Sequence, residues 1–287
     1  MAIEHKLFVT GATGQLGGHV IETLLENVPA SIIVAGVRDI TAAAATALRD
    51  RGVEVREADY TRPDTLTRAF AGVERLLLIS SSENGRRKEQ HRNVIDAAKR
   101  ARVGLVAYTS ILRADTTPLF LAEEHRDTEA ALAASGVPFV LLRNGWYTEV
   151  YTWRLPAALK HGVLVGAAGE GQISAASRAD YARAAATVLA GGEHAGRIYE
   201  LAGDRAFTLA ELAAVAKLPY RNMTEEQYRA AILEAGLPEL AAKILSDTDA
   251  GVAKGALFDE GGALARLIGR PTTPFEATIS AFVDGRR

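Results

Sequence analysis

The 287-residue chain contains no cysteine. That excludes a disulfide scaffold, a thiolate metal site, a thiol nucleophile and an iron–sulfur cluster. It also lacks an excess of either charge: 33 Lys+Arg stand against 35 Asp+Glu, for a net charge of −2. A sequence-independent nucleic-acid binder draws its affinity from a basic footprint, so no nucleic-acid partner is expected. No window approaches the roughly eighteen uninterrupted apolar residues of a membrane-spanning helix, so no membrane insertion is expected. The opening Met1-Ala2-Ile3-Glu4-His5-Lys6 carries charge straight into a short apolar run and does not read as a signal peptide. These absences point to a cytoplasmic protein. The six histidines are scattered, and there is no HExxH, nucleophile elbow or metal-ligand cluster, so no metal is expected. No tyrosine has a lysine four residues on, which disfavours the Tyr-x-x-x-Lys acid–base pair of short-chain alcohol dehydrogenases and sugar epimerases.

What is present is a regular alternation. Apolar runs at 6–10, 31–37, 53–58, 75–79, 103–109 and 139–142 read as strands. Helical patterns separate them at 14–27, 41–51, from Pro63, at 86–102 and at 119–135. Strands alternating with helices of this length specify βαβ units, hence an α/β fold with a Rossmann-type, doubly wound parallel sheet. The pattern changes near residue 145, where aromatic and glycine-rich stretches appear. A helix at 179–189 and a short strand at 197–201 follow, then a mostly helical end with Thr208, Thr224 and Pro274 as helix starts. The expected organisation is a dinucleotide-binding domain over 1–145, with 175–203 returning to it, and a smaller, mostly helical C-terminal substrate-binding cap over 146–287. At Lys217-Leu218-Pro219 a helix runs on with almost no turn residues, and the sequence does not say whether that short connection is real.

The strongest local signal is Gly11-Ala12-Thr13-Gly14-Gln15-Leu16-Gly17, directly after the first strand and opening the first helix. In that setting Gly11 permits a tight turn, Gly14 lets backbone approach a pyrophosphate, and Gly17 lets the helix pack close to the strand. The helix N-terminus supplies unpaired N–H donors for the anion. The spacing is GxxGxxG rather than GxGxxG. At the end of the second strand a carboxylate would hold a ribose 2′-hydroxyl, whereas an arginine accommodates a 2′-phosphate. Arg38 stands there, which favours NADPH; Asp39 follows it and keeps NADH in play. Asp59 reads equally as an adenine contact or a turn aspartate.

Further polar residues gather where strands end: Ser80-Ser81-Ser82, Tyr108-Thr109-Ser110 and Arg143-Asn144-Gly145-Trp146-Tyr147. Ligands of open α/β sheets lie outside the carboxyl ends of the strands, and small hydroxyl residues there leave room for a cofactor. Trp146 and Tyr147 read either as core or as a wall for a flat ring. His125, one helical turn before Glu129, reads either as a proton donor or as a helix-surface ion pair.

These stretches together resemble the NmrA-like, atypical short-chain dehydrogenase group, and within it the bacterial type-2 NAD(P)H:quinone oxidoreductases. The resemblance rests on TGATGQLG (10–17), EADY (57–60), LLLISSSE (76–83), QHRNVIDAAK (90–99), EHRDTE (124–129), LLRNGWY (141–147), GAAGEG (166–171), SRADYARAAA (177–186) and YELAGD (199–204). It continues through GLPELA (236–241) and KGALFDE (254–260), so it covers essentially the whole chain. It implies hydride transfer from NADPH, or less well NADH, to a quinone without flavin or metal. It also implies two neighbouring readings: a reductase of triphenylmethane or azo dyes, and a cofactor-sensing regulator without turnover. It implies that Gly11, Thr13, Gly14, Gln15, Leu16 and Gly17 hold the pyrophosphate, that Arg38 holds the 2′-phosphate, and that Ser80, Ser81 and Ser82 pass along the cofactor. Asn144, Gly145, Trp146 and Tyr147 would flank nicotinamide and quinone, with Thr109 beside the cofactor. His125 falls where many relatives carry an active-site lysine, and the proton for the reduced quinone would come from water, Tyr147 or His125. Val150 stands where an asparagine is expected, and a lysine expected soon after Arg38 is absent. A monomer and a homodimer are both compatible with the sequence.

Overall fold

Leucine- and valine-rich segments flanked by helices on both faces have nowhere to expose a side chain, and this sets the core of the protein. A computed structural model describes residues 5–285. Residues 1–4 of the opening stretch, which does not read as a signal peptide, lie outside the described residues. Among the described residues nine strands form: β1 (Lys6–Val9), β2 (Ile33–Val37), β3 (Glu54–Glu57), β4 (Val73–Leu78), β5 (Leu105–Ile111), β6 (Phe139–Asn144), β7 (Leu164–Gly166), β8 (Ile198–Leu201) and β9 (Tyr220–Asn222). Seven of them make a parallel sheet in the order β3-β2-β1-β4-β5-β6-β8. The order reverses between β1 and β4, the switch point at which such sheets bind ligands. Crossover helices Gln15–Asn27, Ala43–Asp50, Pro63–Ala69, Arg87–Ala101 and Ala122–Ser135 connect the first six strands. The α/β, doubly wound parallel fold expected from the alternation is the observed one.

The chain divides into two compact units. The first comprises residues up to Ile111, Glu124–Arg143 and Tyr181–Tyr199; the second comprises Leu112–Glu123, Asn144–Asp180 and the residues from Glu200 onward. The first is centred on a cluster in which Phe8 meets Phe70 edge to face at 5.0 Å, among Leu76, Leu78, Val106 and Tyr108. In the second, Phe207 stacks on Phe275 at 4.0 Å. A buried ion pair also crosses it: Arg154 Nη1 and Nη2 donate to Asp249 Oδ2 and Oδ1 at 3.0 and 2.8 Å. Asp249 additionally accepts the Ala167 N–H at 3.0 Å, so helix Glu239–Val252, helix Leu155–His161 and the strand β7 are joined through one carboxylate.

The C-terminal region is largely helical. Thr208 and Thr224 each cap a helix through a reciprocal capping box with Glu211 and Gln227. Pro274 stands at the cap position of Phe275–Asp284. The short connection at Lys217 is a Schellman turn. Lys217 adopts the left-handed conformation at φ 59°. Its N–H reaches Ala214 O at 3.0 Å, and the Leu218 N–H reaches Ala213 O at 2.9 Å. The chain then enters β9, which pairs in parallel with β7. Neither three-residue strand was expected; each is too short to show a period of two. Two boundaries also move. β5 runs through Ser110 to Ile111 and β6 through Arg143 to Asn144, because Leu112 N–H still bonds Asn144 O at 2.9 Å. Arg143 and Asn144 are therefore strand residues, not a following loop.

Candidate active site

The glycine loop has the geometry of an anion cradle. Gly11 sits at φ +56°, a conformation that side chains resist. The Gly14 N–H closes the turn on Gly11 O at 2.9 Å. A Cβ on Gly17 would lie 2.2 Å from that same oxygen, so only glycine lets the helix approach the strand this closely. Helix Gln15–Asn27 has no side-chain cap at Gly14 and no acidic residue in its first turn. Its first N–H groups and positive dipole end are left for an anion. Gly11, Thr13, Gly14 and Gln15 are exposed, whereas Leu16 and Gly17 are buried. Leu16 and Gly17 thus serve by packing and by their backbone. This cradle fits a pyrophosphate.

Around it, within the first unit, the ends of β2, β4 and β5 carry polar groups. Arg38 extends from β2 with its side chain 70% exposed and places Nη1 3.1 Å from Glu83 Oε1. Asp39 Oδ1 accepts both the N–H and the hydroxyl of Thr41, at 2.8 and 2.6 Å. Those two bonds lower the Asp39 pKa, the Thr41 hydroxyl contributing most. Asp59 Oδ1 makes the same turn with Thr61, at 2.8 Å to each donor. After β4, Ser80 N–H donates to Thr109 Oγ1 at 2.9 Å, and Ser81 N–H donates to His91 Nε2 at 2.9 Å. Arg87 Nε holds Ser81 O at 2.8 Å. The serine loop is therefore fastened to β5 and to helix Arg87–Ala101.

His125 is not a helix-surface residue. It is buried, and its Nδ1 lies 2.7 Å from the Tyr108 hydroxyl. Burial, reinforced by the charge of Arg87, pulls its pKa well below the ordinary histidine value. Burial likewise raises the Tyr108 pKa, so both groups are neutral at pH 7. Glu129 is not the partner of His125. It takes the Ser110 hydroxyl and a two-pronged contact from Arg143, with Nε at 3.0 Å and Nη2 at 2.7 Å. His91 is buried too. Because its Nε2 accepts from Ser81 N–H, neutral His91 carries its proton on Nδ1, 2.9 Å from Thr128 Oγ1. Desolvation, with Arg87 adding to it, pushes the His91 pKa down to about 3.

In the second unit, Asn144 ends β6 and is buried. The Gly145 N–H donates to Leu201 O at 2.7 Å, and Tyr147 bridges to Ala176. Trp146 and Tyr147 are half-buried rather than core residues. The Arg178 guanidinium lies 5.0 Å from the Tyr147 ring centroid and 5.7 Å from that of Trp153. Trp153 is 64% exposed. Glu149 accepts the Arg178 backbone N–H at 3.0 and 3.1 Å, at the start of helix Arg178–Ala190. Burial raises the Tyr147 pKa, while a hydrogen bond with Asn144 and the charge of Arg178 work the other way.

Residues 11–191 match the model of the NAD(P)H-binding family. The chain belongs to that family. It is 54% identical, over 95% of its length and 96% of the relative's, to quinone oxidoreductase 2 of Escherichia coli. It is 30% identical to an NmrA-like family domain-containing oxidoreductase of Aspergillus flavus, over 98% and 96% of the two chains. Among solved structures it resembles the E. coli NADPH-dependent quinone oxidoreductase complexed with NADPH, with a TM-score of 0.92 and 54% identity over 96% of this chain and 98% of that one. It also resembles the Citrobacter sp. triphenylmethane reductase complexed with NADP(H), with a TM-score of 0.90 and 37% identity over 96% and 99%.

Within the NAD(P)H-binding frame, sequence reasoning named the glycine loop, Arg38, the serines and the NGWY segment, but missed the residues that hold them. Glu83, His91, Arg87, Glu149, Arg178 and Trp153 were passed over, although SSSE, QHRN and SRAD carry three of them, Glu83, His91 and Arg178. Nothing local marks them, because each acts through a partner on another element. Among the described residues no group of three or more histidines, aspartates or glutamates is placed to hold a metal ion, and no helix is long and apolar enough to cross a membrane.

Proposed function

We propose that this protein reduces quinones with NADPH by direct hydride transfer, with no flavin and no metal. The observation that carries this reading is the uncapped helix N-terminus behind the glycine cradle, with Arg38 at the end of β2. The kinship with the E. coli quinone oxidoreductase supports the choice of acceptor. Dinucleotide binding is assigned to the first unit and acceptor recognition to Asn144–Tyr147. We place the reaction in the cytoplasm.

Bound NADPH would supply the hydride, leaving the protein to bind, orient and protonate. Gly11, Thr13, Gly14 and Gln15 would hold the pyrophosphate through backbone N–H groups and side-chain polarity. Arg38 would take the 2′-phosphate through its planar fork. Ser80, Ser81, Ser82 and Thr109 would border the cofactor. A quinone gains aromaticity when reduced, so the barrier to be lowered is chiefly one of orientation. Tyr147 keeps its proton at neutral pH, and the Arg178 charge nearby eases its release. We assign proton delivery to Tyr147, with Trp146 as the flat wall beside the acceptor. His125, neutral and bonded to Tyr108, is assigned a positioning role.

The test is NADPH oxidation by purified protein, followed by loss of nicotinamide absorbance, with and without a benzoquinone or naphthoquinone. Saturable quinone-dependent oxidation, unchanged by added flavin, is expected. Tight NADPH binding without turnover on any quinone or dye would instead make the protein a cofactor sensor.

A further inference from the structure

The guanidinium assigned to the 2′-phosphate already has an anionic partner. Arg38 Nη1 lies 3.1 Å from Glu83 Oε1. The other Glu83 oxygen accepts from Gln90 Nε2 at 2.8 Å, and Arg86 Nη1 stands 3.4 Å from it. Gln90 is buried in helix Arg87–Ala101, so the carboxylate is anchored rather than swinging on a free side chain. Its backbone is held as well, since Glu83 N–H donates to Ser81 Oγ at 3.1 Å and Ser81 is fastened by His91 and Arg87. Asp39, the other acidic residue near Arg38 in sequence, has Oδ1 committed to Thr41. Glu83 is thus the carboxylate fixed against Arg38.

We infer that Glu83 sets the balance between NADPH and NADH. Its negative charge occupies the arginine that a 2′-phosphate needs, so it opposes the phosphate, which carries up to about two negative charges. Toward NADH it has no such opposing effect. NADH carries no 2′-phosphate to compete for Arg38, so the Glu83 charge does not weaken it. Glu83 follows β4 and is not the acidic residue that ends β2 in NAD-selective folds. Glu83 acts through Arg38 and is a selectivity residue, not a catalytic one. This inference rests on the assignment of Arg38 to the 2′-phosphate.

The experiment is calorimetric titration of the intact protein with NADPH, NADH and 2′,5′-ADP, for the native chain, Glu83→Gln, Arg38→Ala and the double variant. Glu83→Gln keeps the side-chain shape and removes the charge. An exposed charge pair of this kind contributes modestly, so NADPH and 2′,5′-ADP are expected to bind about three- to tenfold tighter, with NADH unchanged. In the Arg38→Ala background Glu83→Gln is expected to lose most of this effect. Equal shifts for NADPH and NADH, or weaker NADPH binding, while Arg38→Ala still selectively weakens NADPH, would overturn the role of Glu83 alone. If Arg38→Ala leaves the NADPH-to-NADH ratio unchanged, the 2′-phosphate assignment fails and this inference with it. Melting temperatures of the variants separate selectivity from a general loss of structure.

Discussion

Tyr147 and His125 are both neutral at pH 7, and they differ in what stands beside them. Tyr147 has a cation, Arg178, 5.0 Å from its ring, so the phenolate that proton release would leave is partly stabilised. His125 has the Tyr108 hydroxyl and further positive charge from Arg87, which make an imidazolium there unfavourable. His125→Ala is therefore expected to retain most of the quinone-dependent turnover, and to lower stability by removing a buried hydrogen bond to the Tyr108 hydroxyl, at about 1–3 kcal/mol. A loss of several hundred-fold in kcat with an unchanged melting temperature would reassign the proton to His125. Arg38→Ala should raise the KM for NADPH more than that for NADH, and equal shifts would remove Arg38 from the 2′-phosphate. Arg143 and Glu129 form a different kind of site, a buried pair with side chains only 6% and 12% exposed. Removing one partner leaves an uncompensated charge, so Arg143→Ala is expected to cost about 3–5 kcal/mol in chemical denaturation. A cost below about 1 kcal/mol would show that water reaches Glu129.

At the scale of elements, the turn at Lys217 shows what local sequence conceals. A helix end without glycine looks unfinished, yet the left-handed backbone and both Schellman bonds are present with a lysine in the glycine position. A side chain resists that conformation, so Lys217→Gly is expected to stabilise the protein by about 0.5–1 kcal/mol, read as a higher melting temperature. A drop would mean that the lysine side chain makes a contact outweighing the strain. The same contrast separates what was legible from what was not. β1, β2, β4 and β5 announce themselves because runs such as LLLI leave no polar face, and the glycine loop does so because three glycines at a strand–helix junction have few other uses. β7 and β9 do not, being three residues each. Of the two readings of His125, the helix-surface one fails; it arose because the helix Ala122–Ser135 has a weakly polarised pattern, and a histidine followed by a glutamate one turn later looks solvated. Glu83 and Arg178 were invisible as site residues because their roles depend on Arg38 and Tyr147, far away in sequence.

For the molecule as a whole, two buried neutral histidines tie stability to pH. His91 has its pKa pushed down to about 3 by burial, whereas an unfolded chain titrates near the ordinary value of 6.5. Between those values the unfolded state binds the extra proton, so stability rises with pH across that window. It is fully present above about pH 6.5 and is lost progressively as pH falls toward 3. At 1.36 kcal/mol per unit the His91 contribution is of order 4–5 kcal/mol, and His125 acts in the same direction. The melting temperature is expected to fall steadily on acidification from pH 6.5, before most carboxylates titrate, and His91→Gln to flatten that slope. A native melting temperature constant down to pH 5 would contradict it.

The most direct test of the central claim is a single turnover. Flavin-free protein loaded with one equivalent of NADPH is mixed anaerobically with one equivalent of a naphthoquinone, and nicotinamide absorbance is followed by stopped flow. If the protein itself brings donor and acceptor together, one NADPH disappears per quinone reduced, and NADPH deuterated on the transferred position reacts more slowly. Retention of the full NADPH absorbance over many minutes, with the cofactor still bound, would contradict direct hydride transfer.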